Sequence, residues 1–287
     1  MRIVHTLLFM LREKFYEEDL IMAGKCFETL SRSDENTVVI YNKGSLDNAT
    51  LKEFLNPFNI KYHILGDGRN IGIPQARQKC FEYVWGKYPE TPYISEIHLD
   101  MLFPTNWYSE LIQYLENNDE PLISPGIITA TGDVFPKGNG NYDLPKEVNE
   151  VLGLLERISE DKVIQGFVHP VIHRVSTLKS VGGYDVNFLT GMQAYEDDSL
   201  LLGYLYFMGT RTNWYPKVCF KSFVYHAYMG QRITLENIQD EHRKNLEGLF
   251  HQYGAKGLKQ LSNLHILDAR DHFKELYELN IYEKKDN

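Results

Sequence analysis

The chain has little cysteine, and that scarcity removes two structural classes at once. Cys26, Cys80 and Cys219 are odd in number, far apart and without a Cys-x-x-Cys pair, so neither a disulfide framework nor a zinc site is indicated. They suit a reducing cytoplasm. Positive charge is also short: 30 Lys and Arg stand against 39 Asp and Glu, a net charge of −9. A protein that coats nucleic acid needs clustered cations, so that class is excluded and any phosphate-bearing ligand must be gripped locally, by a metal or a few placed cations. The apolar runs Ile3 to Met10 and Leu200 to Met208 fall far below the roughly 20 residues that span a bilayer, and no small-residue cleavage pattern follows the first. Neither a transmembrane segment nor an export signal is expected. Internal repeats and low-complexity tracts are missing as well. What remains is ordinary globular composition, 43% hydrophobic and 24% charged over 287 residues, enough for one large α/β domain or two smaller units sharing a sheet.

The first hundred residues alternate between strand and helix patterns, the signature of βαβ units and a mostly parallel sheet. Strands are expected at Ile3 to Met10, Thr37 to Tyr41, Lys61 to Leu65 and Tyr93 to Leu99, with helices at Glu17 to Leu30, around Leu51 to Leu55, and after Pro74, whose place suits a first helical turn. A helix to Leu115 and a strand at Leu122 to Ile128 follow. Thr129 to Tyr142, rich in Gly, Thr and Asn, reads as a mobile loop. A further strand is expected at Val218 to Val224, and residues 235–287 read as an appended helical tail. The expected organisation is 1–128, 129–234 and that tail.

Alternation along the fourth strand places Glu96, His98 and Asp100 on one side, at the carboxyl end where open α/β sheets bind ligands. Asp100 then suits a hard divalent cation holding a diphosphate, with His98 assisting, or else caps the following turn. Glu196, Asp197 and Asp198 open the apolar helix pattern that begins at Leu200. One acid suffices to cap a helix and complement its dipole, so three leave a carboxylate for general-base work. His226 follows the last strand pattern as either a packed or a ligating residue. The glycine-rich turn Gly66 to Gly72 opens a helix and can cradle phosphate, but it has neither a dinucleotide-binding nor a P-loop spacing.

Taken in order, these stretches resemble the inverting nucleotide-sugar glycosyltransferases of the GT-A fold, glycosyltransferase family 2, over about Arg2 to Arg232. Asn42-Lys43-Gly44-Ser45 matches the turn after the family's second strand, and Asn70, Gly72, Ala76 and Arg77 match its Asn-x-Gly-x-x-x-Ala-Arg stretch. His98-Leu99-Asp100 stands for the Asp-x-Asp metal motif with its first acid replaced, and the family's base-contacting acid falls at Tyr41. Gly182 to Asp185 matches the Gly-Gly-Tyr/Phe-Asp stretch, and Glu196-Asp197 the acidic motif.

The resemblance implies an α/β GT-A fold, a mostly parallel central sheet flanked by helices with a C-terminal helical tail. It implies a metal-assisted transfer, with inversion, of a sugar from a nucleoside diphosphate sugar, UDP being the family's commonest, to a glycan, lipid-linked or protein acceptor. Asp100 and His226 would hold Mn²⁺ or Mg²⁺. Asn42, Asn70, Arg77, His98 and Arg232 would bind the sugar nucleotide, and Asp197, with Glu196 and Asp198 beside it, would be the catalytic acid cluster. Gly132 to Asn141, Phe167, Tyr184 and Phe188 are candidate acceptor-side elements. The rivals are a catalytically silent carbohydrate or nucleotide binder on the same fold, favoured by the replaced acid at His98, and a sugar nucleotidyltransferase, which would need a Gly-rich cationic loop that Leu8 to Lys14 does not offer.

Overall fold

A computed structural model describes residues 1–136, 140–209, 214–227 and 237–283, with side chains to residue 279. Its elements in chain order are β1 Ile3–Phe9, α1 Tyr16–Leu30, β2 Thr37–Asn42, α2 Asn48–Leu55, β3 Lys61–Leu65, α3 Ile73–Lys87, β4 Tyr93–Ile97 and β5 Met101–Leu102. Then come α4 Ser109–Asn117, β6 Leu122–Ile128, β7 Val134–Phe135, α5 Val148–Arg157, β8 Val163–Gln165, β9 Val171–Arg174, α6 Val175–Val181, α7 Glu196–Met208, β10 Lys217–His226, α8 Ile238–Leu264 and α9 Leu267–Glu283.

One sheet runs β3-β2-β1-β4-β9-β6-β10-β5, with β7 on β6 and β8 on β10. The parallel pairing expected from the βαβ pattern holds across β3, β2, β1 and β4. Beyond β4 the sheet is mixed: β9 enters antiparallel between β4 and β6, while β6 and β10 pair in parallel. The central strands are covered on both faces, so β2 and β6 are buried throughout and the polar His5, Thr6, Ser95 and Glu96 of β1 and β4 are buried with their apolar neighbours. Ile3, Leu7 and Phe9 of β1 pack with Phe27 and Leu30 of α1 and Leu51 of α2, whereas Val4 of β1 packs on the opposite face with Ala76 and Phe81 of α3 and Leu201 of α7.

Two expected elements differ. The fourth strand stops at Ile97, two residues early, because the His98 N–H turns to Met101 Sδ at 3.3 Å instead of joining the ladder. The segment 129–142 is also not all loop: its Gly and Thr signals mark the turn of a hairpin, closed by Thr129 N–H to the Asp133 carbonyl at 2.9 Å, that brings β7 onto β6. Val134 and Phe135 are too few to register as a periodic strand.

The C-terminal residues are helical as expected, but they are not an appendage. Asn245, Leu249, Leu258 and Leu261 of α8 and Phe273 of α9 are buried, and the apolar ones join the core that holds α3 and α7. Among the described residues no helix is long and apolar enough to cross a membrane.

Candidate active site

The chain leaves β4 and turns through His98-Leu99-Asp100 into β5, which pairs antiparallel with the end of β10, placing His226 opposite Met101. The Ala227 N–H donates to the Asp100 carbonyl at 2.9 Å, fixing the two segments side by side. Three side chains therefore meet: His226 Nε2 lies 3.3 Å from Asp100 Oδ1 and 3.3 Å from His98 Nδ1. One donor atom from each falls within 4.8 Å of the others, so the trio could hold a metal ion. Two imidazoles with one carboxylate fit a transition metal better than an oxygen-seeking ion such as Mg²⁺. Backbone pairing of β5 with β10 sets most of this geometry, and the Met101 side chain accepts from the His98 N–H at the turn.

The trio opens on a cavity of about 570 Å³ whose wall includes Met10, Lys43, Asn70, Asp100, Asp197 and His226. Lys43 is carried on the turn after β2. That turn lies against the 66–69 turn so closely that a Cβ on Gly44, at φ 113°, would sit 2.0 Å from the Gly68 carbonyl oxygen. Only glycine fits there. Burial lowers the Lys43 ammonium to about 8, against the opposing attraction of Glu196. Asn42 supports this turn rather than the cavity: its amide donates to the Leu46 carbonyl and Asn48 Oδ1 and accepts from the Gly44 N–H.

Asp197 lines the same cavity. His169 stacks on His98 with ring centroids 4.7 Å apart, and its Nδ1 lies 3.8 Å from Asp197 Oδ2, so one imidazole bridges the metal-capable trio and the acid. Burial lowers the His169 imidazole and outweighs the pull of Asp197. Asp198 is held by His265 of the C-terminal helices, Nε2 to Oδ1 at 2.6 Å, and so faces that wall. Glu196 is 5% exposed and also lines the cavity.

The helix carrying these acids starts from an unusual backbone: Ala194 and Tyr195 have φ of 77° and 61°, the left-handed region that non-glycine residues rarely adopt. Asn245 of α8, fully buried, offsets that cost. It donates to the Gln193 and Ala194 carbonyls at 3.0 and 2.8 Å and accepts from the Gly191 N–H, while Glu241 accepts from the Met192 N–H. Tyr195 in turn meets His272 of α9 at 3.1 Å. The strain and its supports coincide with the acid cluster, which is where strained backbone concentrates when it serves a function.

Behind the cavity lies a buried polar network. Arg77 Nε pairs with Glu96 Oε2 at 3.1 Å, with side chains 3% and 0% exposed, and His173 Nε2 meets Glu96 Oε1 at 2.8 Å. The Tyr204 hydroxyl meets His173 Nδ1 at 2.8 Å. The Tyr184 hydroxyl lies 2.9 and 3.0 Å from the two Glu96 oxygens and 3.0 Å from Asp197 Oδ1. Burial alone would raise the Glu96 carboxyl, but the Arg77 charge and the His173 hydrogen bond hold it at about 2.

The residues expected from the sequence thus fall into three groups. Asn70, Arg77, His98, Asp100, Glu196, Asp197, Asp198 and His226 share the cavity wall. Asn42 is absorbed by its turn, and Arg77, although at the wall, spends its guanidinium on Glu96 and on the Thr6 and Ile97 carbonyls. Arg232 lies outside the described residues, as does part of Gly132 to Asn141. Of the aromatic candidates Phe167 lines the cavity, Tyr184 is buried with only its hydroxyl directed at Asp197, and Phe188 stacks on His251 away from the cavity. Lys43, His169, His265 and His272 were not singled out by sequence. Lys43 alone had a signal, since it sits inside the matched turn.

No protein-family model matches the sequence, and no curated protein does. Solved structures do. The chain is similar to S. aureus TarS residues 1–349, with a TM-score of 0.50 and 12% identity over 92% of this chain and 80% of that one. A longer S. aureus TarS structure gives 0.52 and 12% over all of this chain and 53% of that one. GalNAc-T7, solved with UDP, GalNAc and Mn²⁺, gives 0.52 and 13% over 96% and 55%. The chain therefore spans about half the length of the two longer proteins. These likenesses show the fold, and the fold is that of the GT-A glycosyltransferases.

Proposed function

We propose that the protein is a metal-assisted glycosyltransferase that moves a sugar, with inversion, from a nucleoside diphosphate sugar, a UDP-sugar in the first instance, to a hydroxyl of a glycan, lipid-linked or protein acceptor. The observation that carries this reading is the opening of the His98–Asp100–His226 trio and the Asp197 carboxylate onto one cavity, bridged by His169. The fold, and a fold neighbour solved with UDP and Mn²⁺, support it.

Asp100 and His226, with His98 as a third donor in place of a carboxylate, would hold Mn²⁺ or Mg²⁺. When bound, the cation neutralises charge that develops on the departing diphosphate. Lys43 adds a positive charge from the other side, and Asn70 borders the nucleotide. Asp197 accepts the proton of the acceptor hydroxyl as its oxygen attacks the anomeric carbon on the face opposite the diphosphate, and that single displacement inverts the centre. Asp198, engaged by His265, is the less available of the two aspartates. Residues 1–128 would then bind the nucleotide sugar and 129–234 the acceptor and carry the catalytic groups, while the tail 235–287 would brace the acid cluster. The three cysteines are free and buried, and we place the protein in the cytoplasm.

Release of nucleoside diphosphate from UDP-GlcNAc, UDP-galactose and GDP-mannose, with Mn²⁺ and with chelator, tests the reading. Slow metal-dependent release from one donor supports it. Failure of all three to bind or turn over would leave only a silent scaffold.

A further inference from the structure

Tyr184 has one hydroxyl proton and three carboxylate oxygens within 3.0 Å to receive it: both oxygens of Glu96 and Oδ1 of Asp197. Glu96 is already served. Arg77 Nε donates to Oε2, and His173 Nε2 donates to Oε1 once its Nδ1 accepts from the Tyr204 hydroxyl. A full positive charge beside Glu96 answers its negative one. Among the described residues Asp197 has only His169 as a further partner, at 3.8 Å. A hydrogen bond strengthens most on an uncompensated charge, so the proton is worth more on Asp197. Tyr184 also keeps that proton throughout the working range, because burial and then the charges of Asp197 and Glu96 push its phenol well above the usual value. The ring cannot swing away, being 3% exposed and stacked on Phe81 with centroids 5.5 Å apart and planes 10° apart.

We propose that Tyr184 is a positioning residue for Asp197: its hydroxyl donates to Oδ1, fixes the carboxylate's rotation and leaves Oδ2 aimed into the cavity. Arg77, Glu96 and His173 form the rigid base that holds the tyrosine in place. This role rests on the proposed transfer reaction, but its geometry does not. It also accounts for two features that no substrate contact explains: Arg77, at the cavity wall, spends its guanidinium on Glu96, and the tyrosine of Gly182-Gly183-Tyr184-Asp185 is buried rather than offered to a sugar. The charged and titratable groups around Asp197 are Tyr184 and His169 from the loops, Glu96 and Arg77 behind them, and Glu196 and Asp198 on its own helix.

The deciding experiment needs no ligand. Urea unfolding of the wild type, Tyr184→Phe, Asp197→Ala and the double variant forms a thermodynamic cycle, with Tyr204→Phe replacing Tyr184→Phe in a parallel cycle. Tyr184→Phe keeps the stacked ring and should fold. A donated bond to a carboxylate predicts a Tyr184–Asp197 coupling of about tenfold or more in the unfolding constant. The Tyr204 cycle should be additive. Additivity in the Tyr184 cycle overturns the proposal, and so does equal coupling from Tyr204, which would assign the effect to the network as a whole. On whichever sugar nucleotide is hydrolysed, Tyr184→Phe should lower kcat about tenfold with donor KM unchanged and move the acid limb of the pH profile to higher pH. An unmoved limb with both constants intact also overturns it. If no sugar nucleotide is turned over, the transfer reading fails while the cycle still decides the tyrosine's role.

Discussion

The two ends of the cavity are built by different means. At the proposed donor end, His98, Asp100 and His226 meet mainly through backbone: β5 and β10 pair in one register and Ala227 hydrogen-bonds the Asp100 carbonyl, with the His98 N–H turned onto Met101 Sδ. At the acid end, Glu196 to Asp198 open a helix whose strained preceding residues are held by the distant side chains Asn245 and Glu241, while His265 and Tyr184 hold the Asp198 and Asp197 carboxylates. A backbone-built site tolerates substitutions away from its ligands. A site built by side chains is exposed to each supporting contact, so perturbations should separate the two ends.

The largest expected effect is Arg77→Ala. It leaves the Glu96 charge buried without its partner and should cost about 3–5 kcal/mol in urea unfolding, while Arg77→Lys should recover only part because the planar fork is lost. A loss below about 1 kcal/mol would mean that the network is not the base of the acid end. Next is Asp197→Asn, which should keep the fold and donor binding but lower turnover by on the order of 10²-fold or more. Asp198→Asn is its internal control and should be mild; if it is the dead variant, the base moves one residue along.

Asn245→Ala should cost about 1–3 kcal/mol by orphaning buried backbone groups. It should impair turnover while leaving Mn²⁺ and nucleoside diphosphate binding unchanged, measured by calorimetry. Loss of both together would erase the distinction between the two ends.

The smallest effect is the pH response of the donor end. Lys43 is lowered to about 8 in the folded protein, so diphosphate affinity should fall as pH rises through that value, by up to about tenfold for one charged contact, and Lys43→Met should flatten the profile. The linked stability has the opposite sign. Between about 8 and the ordinary lysine value the unfolded chain holds more protons, so stability rises with pH across that window, and Lys43→Met should remove the rise.

How much was legible follows the same division. Val-, Ile- and Leu-rich strands, Pro74 at the start of α3 and the acids opening α7 carry local signals, so β1, β2, β3, β6 and the fold were readable, as was the gathering of Asp100, Asp197 and His226 on one cavity wall. The end of β4 was not readable, since a side-chain bond to Met101 Sδ stopped it, and strand alternation therefore grouped the buried Glu96 with the cavity residues His98 and Asp100. Arg77 matched a motif but faces Glu96, because a partner 19 residues away in sequence is invisible to spacing. The tail reads as an appended helical pattern, and nothing local shows that Asn245 reaches back to residue 191 or His265 to Asp198.

The most direct test of the account is calorimetric titration of UDP and GDP into the protein with Mn²⁺ and after exhaustive chelation, repeated with Asp100→Ala. A site in which the His98–Asp100–His226 trio holds a cation against a diphosphate predicts binding with Mn²⁺ at least as tight as with Mg²⁺, and loss of binding on chelation and in Asp100→Ala. Equal affinity under all of these conditions would contradict it.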